Sequence, residues 1–372
     1  MLEFEILKRE GLARVGVMKT PHGEIKTPAF VGAATRATVK ALSFEQMRKL
    51  GSQAVLANTY HLFLRPGAEV VREGGGLAEF MGWHGPTFTD SGGFQIFSLP
   101  KVKLSEEGAC FRSHVDGAKF VMTPELSMQT QWEIGADIHM AFDQLAKSED
   151  YEEMQGAMGR THRWLERCVS EHEKLCEEYL LRGLPEQYLY AVVQGGKFLD
   201  LREESAKFCA GEPVDGFGIG GVFTAEGMGE MLSTVCPILP EEKPRHLLGM
   251  GQEPVDLFVG AEFGCDTFDC VGPTRMARNG ALYTLDGRMN IKNAKFEHDF
   301  SPVMEGCECE CCKNYTRAYL HHLFRVDEIM AKVLASVHNE YFVVATVEKI
   351  RESLLDGSFA DYKREFLGRY YS

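Results

Sequence analysis

Short apolar runs that end in small or polar residues recur along this chain, each followed by a stretch of helical period. They begin at Pro28 (Ala-Phe-Val-Gly-Ala), Ala54 (Val-Leu-Ala-Asn-Thr), Thr87 (Phe-Thr-Asp-Ser-Gly-Gly) and Asp137 (Ile-His-Met-Ala-Phe-Asp). Four more begin at Tyr188 (Leu-Tyr-Ala-Val-Val-Gln-Gly-Gly), Gly216 (Phe-Gly-Ile-Gly-Gly), His246 (Leu-Leu-Gly-Met-Gly) and Thr267 (Phe-Asp-Cys-Val). Eight strands spaced by helix-length intervals predict an α/β fold, a (β/α)8 TIM barrel over 28–295, with a doubly wound open sheet as the alternative. Residues 1–27 alternate and turn instead, which predicts a small N-terminal antiparallel sheet. Past the last run the pattern is helical over 314–330, 331–338 and 342–355, predicting a subdomain at 296–345 and a C-terminal helix packing on the barrel at 346–372. No linker rich in Pro, Gly or Ser separates these parts, so the C-terminal unit is expected to be an elaboration of the barrel.

Chemistry-bearing residues gather at the C-terminal ends of the runs: Asp90, Asp143, Gln194, Gly220, Gly221 and Asp269. That is the face on which barrel enzymes build their sites. Four of the eleven cysteines crowd into Cys307–Cys312, and His338 follows on a helical stretch. Three thiolates and one imidazole complete a tetrahedral zinc shell; a disulfide or a chance cluster is the alternative.

Net charge is −14, which argues against a protein that coats nucleic acid non-specifically. The stretch from Gly272 to Lys295 is locally basic, with Arg275, Arg278, Arg288, Lys292 and Lys295 against Asp286, whereas Glu149 to Glu178 is mainly acidic and is expected to be a wet helical face. The N-terminus lacks the features of a signal peptide, and no apolar stretch approaches membrane-spanning length, so no membrane partner is expected. With free cysteines, this points to a reducing cytoplasm.

Asp90 and Asp269 across a barrel mouth would suit displacement at a sugar carbon, one as nucleophile and the other as proton shuttle. Equally, each can simply cap the turn that follows it. Asp143 emerges from an apolar strand and can accept two hydrogen bonds from an amidine-like edge, and Gln194 can donate and accept together. With the open backbone at Gly220 and Gly221, these residues outline a pocket for a purine-like base.

Seven signals in order carry a resemblance over nearly the whole chain: Asn-Thr-Tyr-His-Leu at 58–62, Thr-Asp-Ser-Gly-Gly-Phe-Gln at 89–95, Phe-Asp at 142–143, Val-Gln-Gly at 193–195, Gly-Gly at 220–221 with Glu226, Phe-Asp-Cys-Val-Gly-Pro-Thr-Arg-Met-Ala-Arg-Asn-Gly at 268–280, and the cysteine cluster. In these the chain resembles the bacterial tRNA-guanine transglycosylases. The resemblance implies exchange of the wobble guanine, position 34, of GUN-anticodon tRNAs (the Asp, Asn, His and Tyr isoacceptors) for a 7-deazaguanine base, within queuosine modification. By the same resemblance Asp269 is the nucleophile that forms a covalent RNA intermediate, and Asp90 the general acid/base. Ser91, Asp143, Gln194, Gly220 and Gly221 hold the base edge, Phe94 stacks on the base, and Leu248 floors its pocket. Arg275 and Arg278 grip the anticodon loop, and Cys307, Cys309, Cys312 and His338 hold one structural zinc, leaving Cys311 spare. A homodimer is implied as well.

The chain departs from the family pattern around the base. Leu145 stands where bacterial members usually carry a Cys, and Val222-Phe-Thr-Ala-Glu226 replaces Leu-Ala-Val-Gly-Glu. Leu248 stands in place of a Met, and Gly272 in place of a larger apolar residue. These changes are expected to reshape the pocket, with 7-aminomethyl-7-deazaguanine favoured over the bulkier queuine. A barrel glycoside hydrolase would leave the cysteine cluster, Arg275 and Arg278 without a purpose. A non-catalytic partner subunit would not need both acids.

Overall fold

Strands β1 (Glu3–Glu10), β2 (Ala13–Thr20) and β3 (Gly23–Thr27) form the expected N-terminal antiparallel sheet, in that order. The computed structural model describes residues 2–221 and 225–372, the side chains of 225 and 226 excepted. The sequence departure at 222–226, Thr224 and Glu226 included, therefore lies outside the described residues. Next come β4 (Ala29–Ala33), β5 (Ala54–Ala57) and β6 (Thr87–Thr89), then β7 (Lys103–Leu104), β8 (Ala109–Arg112) and β9 (Lys119–Met122). The remaining strands are β10 (Ile138–Met140), β11 (Tyr188–Val193), β12 (Gly216–Ile219), β13 (Arg245–Leu247), β14 (Thr267–Cys270), β15 (Ala281–Thr284) and β16 (Gly287–Asn290).

Eight of these close into a barrel of parallel strands in the order β4-β5-β6-β10-β11-β12-β13-β14, with β14 returning to pair with β4. Each coincides with one of the eight apolar runs. Their residues are buried almost throughout, because helices cover the outside and side chains fill the inside; such strands carry continuous apolar runs and not alternation. Asp269 is the half-buried exception in β14. The seam registers Asp269 against Val31, joining the last barrel strand to the first.

Between β6 and β10 the chain inserts a small antiparallel sheet, β7-β8-β9, that the sequence pattern does not signal. The acidic run forms the helix Tyr151–Leu181, which wets one face and buries Trp164, Leu165 and Leu175 on the other. At the C-terminus the expected helix over 314–330 is broken into Glu310–Asn314 and Arg317–Arg325, with Thr316 capping the second. The helices expected at 331–338 and 342–355 are one, Ile329–Asp356. It runs through the expected boundary between 345 and 346, so the cysteine-rich subdomain and the barrel share a single continuous helix.

Candidate active site and metal centre

Asp90 follows β6 directly, and its carboxylate is saturated by donors. Oδ1 accepts from the backbone N–H of Thr59 at 2.9 Å and of Gly92 at 3.1 Å. Oδ2 accepts from Gln95 Nε2 at 3.2 Å and from the Asn58 side-chain amide. Gly92 makes the tight turn after Asp90 with φ +77, and a Cβ on Gly93 would lie 2.8 Å from the Asp143 carbonyl oxygen. The two glycines thus let the β6 turn close onto the end of β10. Burial pushes the Asp90 carboxyl up to about 7 against the pull of its backbone donors, with the charge of Asp269 adding to the rise.

Asp269 leaves β14 toward the same space. Its Oδ1 accepts from Gly249 N–H at 2.8 Å and lies 3.1 Å from His246 Nε2. His246 comes from the neighbouring strand β13, is fully buried and stacks on Phe88 with ring centroids 5.4 Å apart. Its Nδ1 is 2.8 Å from Thr267 Oγ.

A second group closes on Asp143. Ser91 Oγ donates to its Oδ1 at 2.9 Å and Gln194 Nε2 to its Oδ2 at 2.6 Å, and all three residues are buried. Burial raises the Asp143 carboxyl despite both donors. The glycine pair divides its work. Gly220 N–H bonds the Val193 carbonyl, and a Cβ there would come within 3.2 Å of Gln194 Nε2. Gly221 N–H is left without a partner among the described residues, at φ +119. Leu248 is half-buried and lies over Gly218 beside Met140.

Asp90 and Asp269 share one cavity of about 310 Å³, whose lining also includes Phe94, Arg275 and Arg278. Phe94 is 58% exposed, so it is not the core residue that plain packing would make of it. Ser91, Asp143, Gln194, Gly220, Gly221 and Leu248 lie outside that lining, joined to it through the Asp90–Ser91 step. The basic stretch is split: Arg288 and Lys295 line a separate cavity of about 420 Å³ at the β15–β16 hairpin. Gly272, one of the departures from the family pattern, opens no empty space. A Cβ there would lie 2.8 Å from Gln252 Cγ, so Gln252 already fills the space.

Several residues at this site carried no assigned role in the sequence. Asn58, His61, Lys40 and Gln95 line the shared cavity. Burial, with Arg278, Arg36 and Arg275 nearby, lowers the Lys40 ammonium, and burial brings His61 down to about 4, leaving it neutral near pH 7. Asn58 and His61 belong to a quoted motif; its Asn before a helical turn was the available signal. His246 opened an apolar run and carried none.

Cys307, Cys309, Cys312 and His338 come together, their ligand atoms all within 4.8 Å of one another. His338 Nδ1 lies 3.8, 3.6 and 3.3 Å from the sulfurs of Cys307, Cys309 and Cys312. Cys309 caps the helix Glu310–Asn314 through Cys312 N–H at 3.3 Å, which sets both sulfurs on one side. His338 Nε2 donates to the Tyr283 carbonyl at 2.7 Å, so Nδ1 offers its lone pair to the cluster. Three sulfurs and one imidazole nitrogen at tetrahedral edge lengths suit a metal ion with no open position. Cys311 is buried in the neighbouring apolar core instead, and His321 bonds the Ile291 carbonyl. The next residue, Asn339, accepts from Tyr283 N–H and donates to the carbonyls of Pro273 and Ala281. The metal helix is thereby fastened to the segment that carries Arg275 and Arg278.

Among the described residues no helix is long and apolar enough to cross a membrane. A model of the family described as queuine tRNA-ribosyltransferase matches residues 9–372. The chain is 44% identical over 378 aligned positions to a queuine tRNA-ribosyltransferase of Symbiobacterium thermophilum, covering 100% of this chain and 92% of the relative. To that of Pelotomaculum thermopropionicum it is 45% identical over 365 positions, covering 96% and 95%. To that of Bacillus subtilis it is 43% identical over 376 positions, covering 99% and 96%.

Proposed function

We propose, from the premise that the chain belongs to the queuine tRNA-ribosyltransferase family, that it is a tRNA-guanine transglycosylase whose two cavity carboxylates divide the chemistry. Asp269 attacks the anomeric carbon of the ribose at position 34, guanine leaves, and an aspartyl-ribosyl RNA intermediate remains. Asp90 gives a proton to the departing guanine and takes a ring proton from the incoming 7-deazaguanine. The observation that carries this division is the contrast between the two carboxylates. Asp90 is half-buried, accepts four hydrogen bonds and is held near pH 7, where it can work in both directions, while Asp269 offers one oxygen free of donors among the described residues.

The base edge is held by Asp143, Gln194, Ser91 and the Gly221 amide, with Leu248 below it; Gly220 makes room for Gln194. Each Asp143 oxygen takes one protein donor, which leaves each a second lone pair for an arriving guanine edge. Phe94, exposed on the cavity wall, stacks on the base once it has been drawn out of the anticodon loop. Arg275 and Arg278, with Lys40 beside them, hold loop phosphates. The substrates are the tRNAs with GUN anticodons, for Asp, Asn, His and Tyr. The inserted base is 7-aminomethyl-7-deazaguanine in preference to queuine, because Gly272 adds no room.

The metal is zinc, on the chemistry of a Cys3His donor set. It holds the subdomain and, through Asn339, the Arg275–Arg278 segment. The chain works as a homodimer in the cytoplasm; exposed Phe300, Ile329 and Met330 in the metal subdomain support a second copy docking there. Exchange of labelled guanine into unmodified GUN tRNA tests the whole proposal. Asp269→Asn abolishes exchange while tRNA binding survives, and normal exchange in that variant would remove Asp269 from its role.

A further inference from the structure

The Asp269 carboxylate is held asymmetrically. Its Oδ1 receives Gly249 N–H at 2.8 Å and faces His246 Nε2 at 3.1 Å, while Oδ2 has no hydrogen-bond partner among the described residues. An ionised carboxylate offers no proton, so whichever form the ring takes, the nitrogen facing it must be the donor. The ring cannot swing away. It is fully buried, stacked on Phe88, and anchored at Nδ1 by Thr267 Oγ at 2.8 Å. The His246, Gly249 and Thr267 contacts therefore fix one rotation of the carboxylate.

We infer that His246 is a positioning residue that selects Oδ2 of Asp269 as the attacking atom and stabilises the carboxylate again when it departs. This rests on Asp269 being the nucleophile. In the first half-reaction the Oδ2–C1′ bond forms as the C1′–N9 bond breaks; the bonding pair leaves on guanine, which takes its proton from Asp90. In the second half the incoming base surrenders a ring proton to Asp90, its ring nitrogen bonds C1′, and the Oδ2–C1′ pair returns to Asp269. His246 keeps its proton throughout.

The consequence is an imbalance between the halves. Nε2–H and Gly249 N–H bond a full carboxylate more strongly than an ester carbonyl. They restrain the attacking carboxylate and assist the departing one. Removing the His246 donor therefore slows resolution of the RNA adduct more than its formation.

The test uses the full-length, metal-loaded chain with unmodified GUN tRNA, measuring the adduct that survives denaturation and its release by added guanine. In His246→Phe the release rate falls by about 10- to 100-fold, the loss expected for one hydrogen bond to a charged group, and adduct accumulates. Restoring a donor with His246→Gln recovers most of the release rate, which a merely structural role would not do. Thr267→Val, which frees the other side of the ring, shifts the partition the same way by a smaller factor and carries the test if His246→Phe fails to fold. Adduct in the unsubstituted chain with identical partitioning in the folded variants would overturn this inference alone. No adduct in the unsubstituted chain would overturn the nucleophile reading and this one with it.

Discussion

Asp90 and Asp269 face one cavity from strands separated by two others, and the charge of Asp269 adds to the burial that holds Asp90 near pH 7. A raised carboxyl ionises only as pH climbs through its shifted value. Taking a proton from the incoming base needs the ionised form, so base insertion into a preformed adduct falls about tenfold per unit below pH 7. Guanine departure needs the protonated form and declines above pH 7. Single-turnover rates of the two halves, measured from pH 5.5 to 8.5, cross in opposite directions; Asp90→Asn removes both slopes and both rates.

Asn58 serves two masters, donating its side-chain amide to Asp90 while its Oδ1 accepts His61 N–H at 3.0 Å as the cap of the helix Thr59–Leu64. Asn58→Ser keeps a capping oxygen but loses the donor. It should retain stability within about 0.5 kcal/mol, yet lower exchange about tenfold and move the Asp90 profile upward. Asn58→Ala adds a loss of about 1 kcal/mol in denaturant unfolding.

Cys311 and Cys312 are neighbours with different fates. Metal analysis of purified protein is expected to give one zinc per chain, unchanged in Cys311→Ala and lost in Cys312→Ala. Because Asn339 ties the metal helix to the Arg275–Arg278 segment, loss of zinc weakens tRNA binding before it touches the carboxylates. Retention of metal by Cys312→Ala would count against the ligand set.

Glu340 is buried in the helix Ile329–Asp356, with neither carboxyl oxygen hydrogen-bonded among the described residues, and burial pushes its carboxyl up to about 8. The folded state therefore keeps a proton that the unfolded chain has lost. Its stability falls as pH rises from the ordinary glutamate range to about 8. Glu340→Leu removes this burden, gaining about 1–3 kcal/mol at pH 8 and little at pH 4.5 in urea titrations.

Much of this molecule was legible in the sequence because barrel strands buried on both faces leave uninterrupted apolar runs. The β6 turn was legible because Gly92 and Gly93 sit where only glycine fits. The helix Ile329–Asp356 was not, because His338, Asn339 and Glu340 put three polar residues in its middle. Each is buried for reasons that lie elsewhere in the chain, or in Glu340 for none that the structure explains. The β7–β9 sheet escaped because its strands are two to four residues long, too short to show a period. His246 was legible only as an apolar-run residue, since its partners Thr267, Phe88 and Asp269 come from other strands.

The seam between β14 and β4 also sets a schedule. Residues 29–33 leave the ribosome early, yet their partner at 267–270 is made more than two hundred residues later. Until then β4 has an unpaired edge and Asp90 has no second carboxylate across from it. An unfinished chain lacks one of the two cavity carboxylates, so on the proposed division of labour RNA meets a complete site only after the barrel has shut.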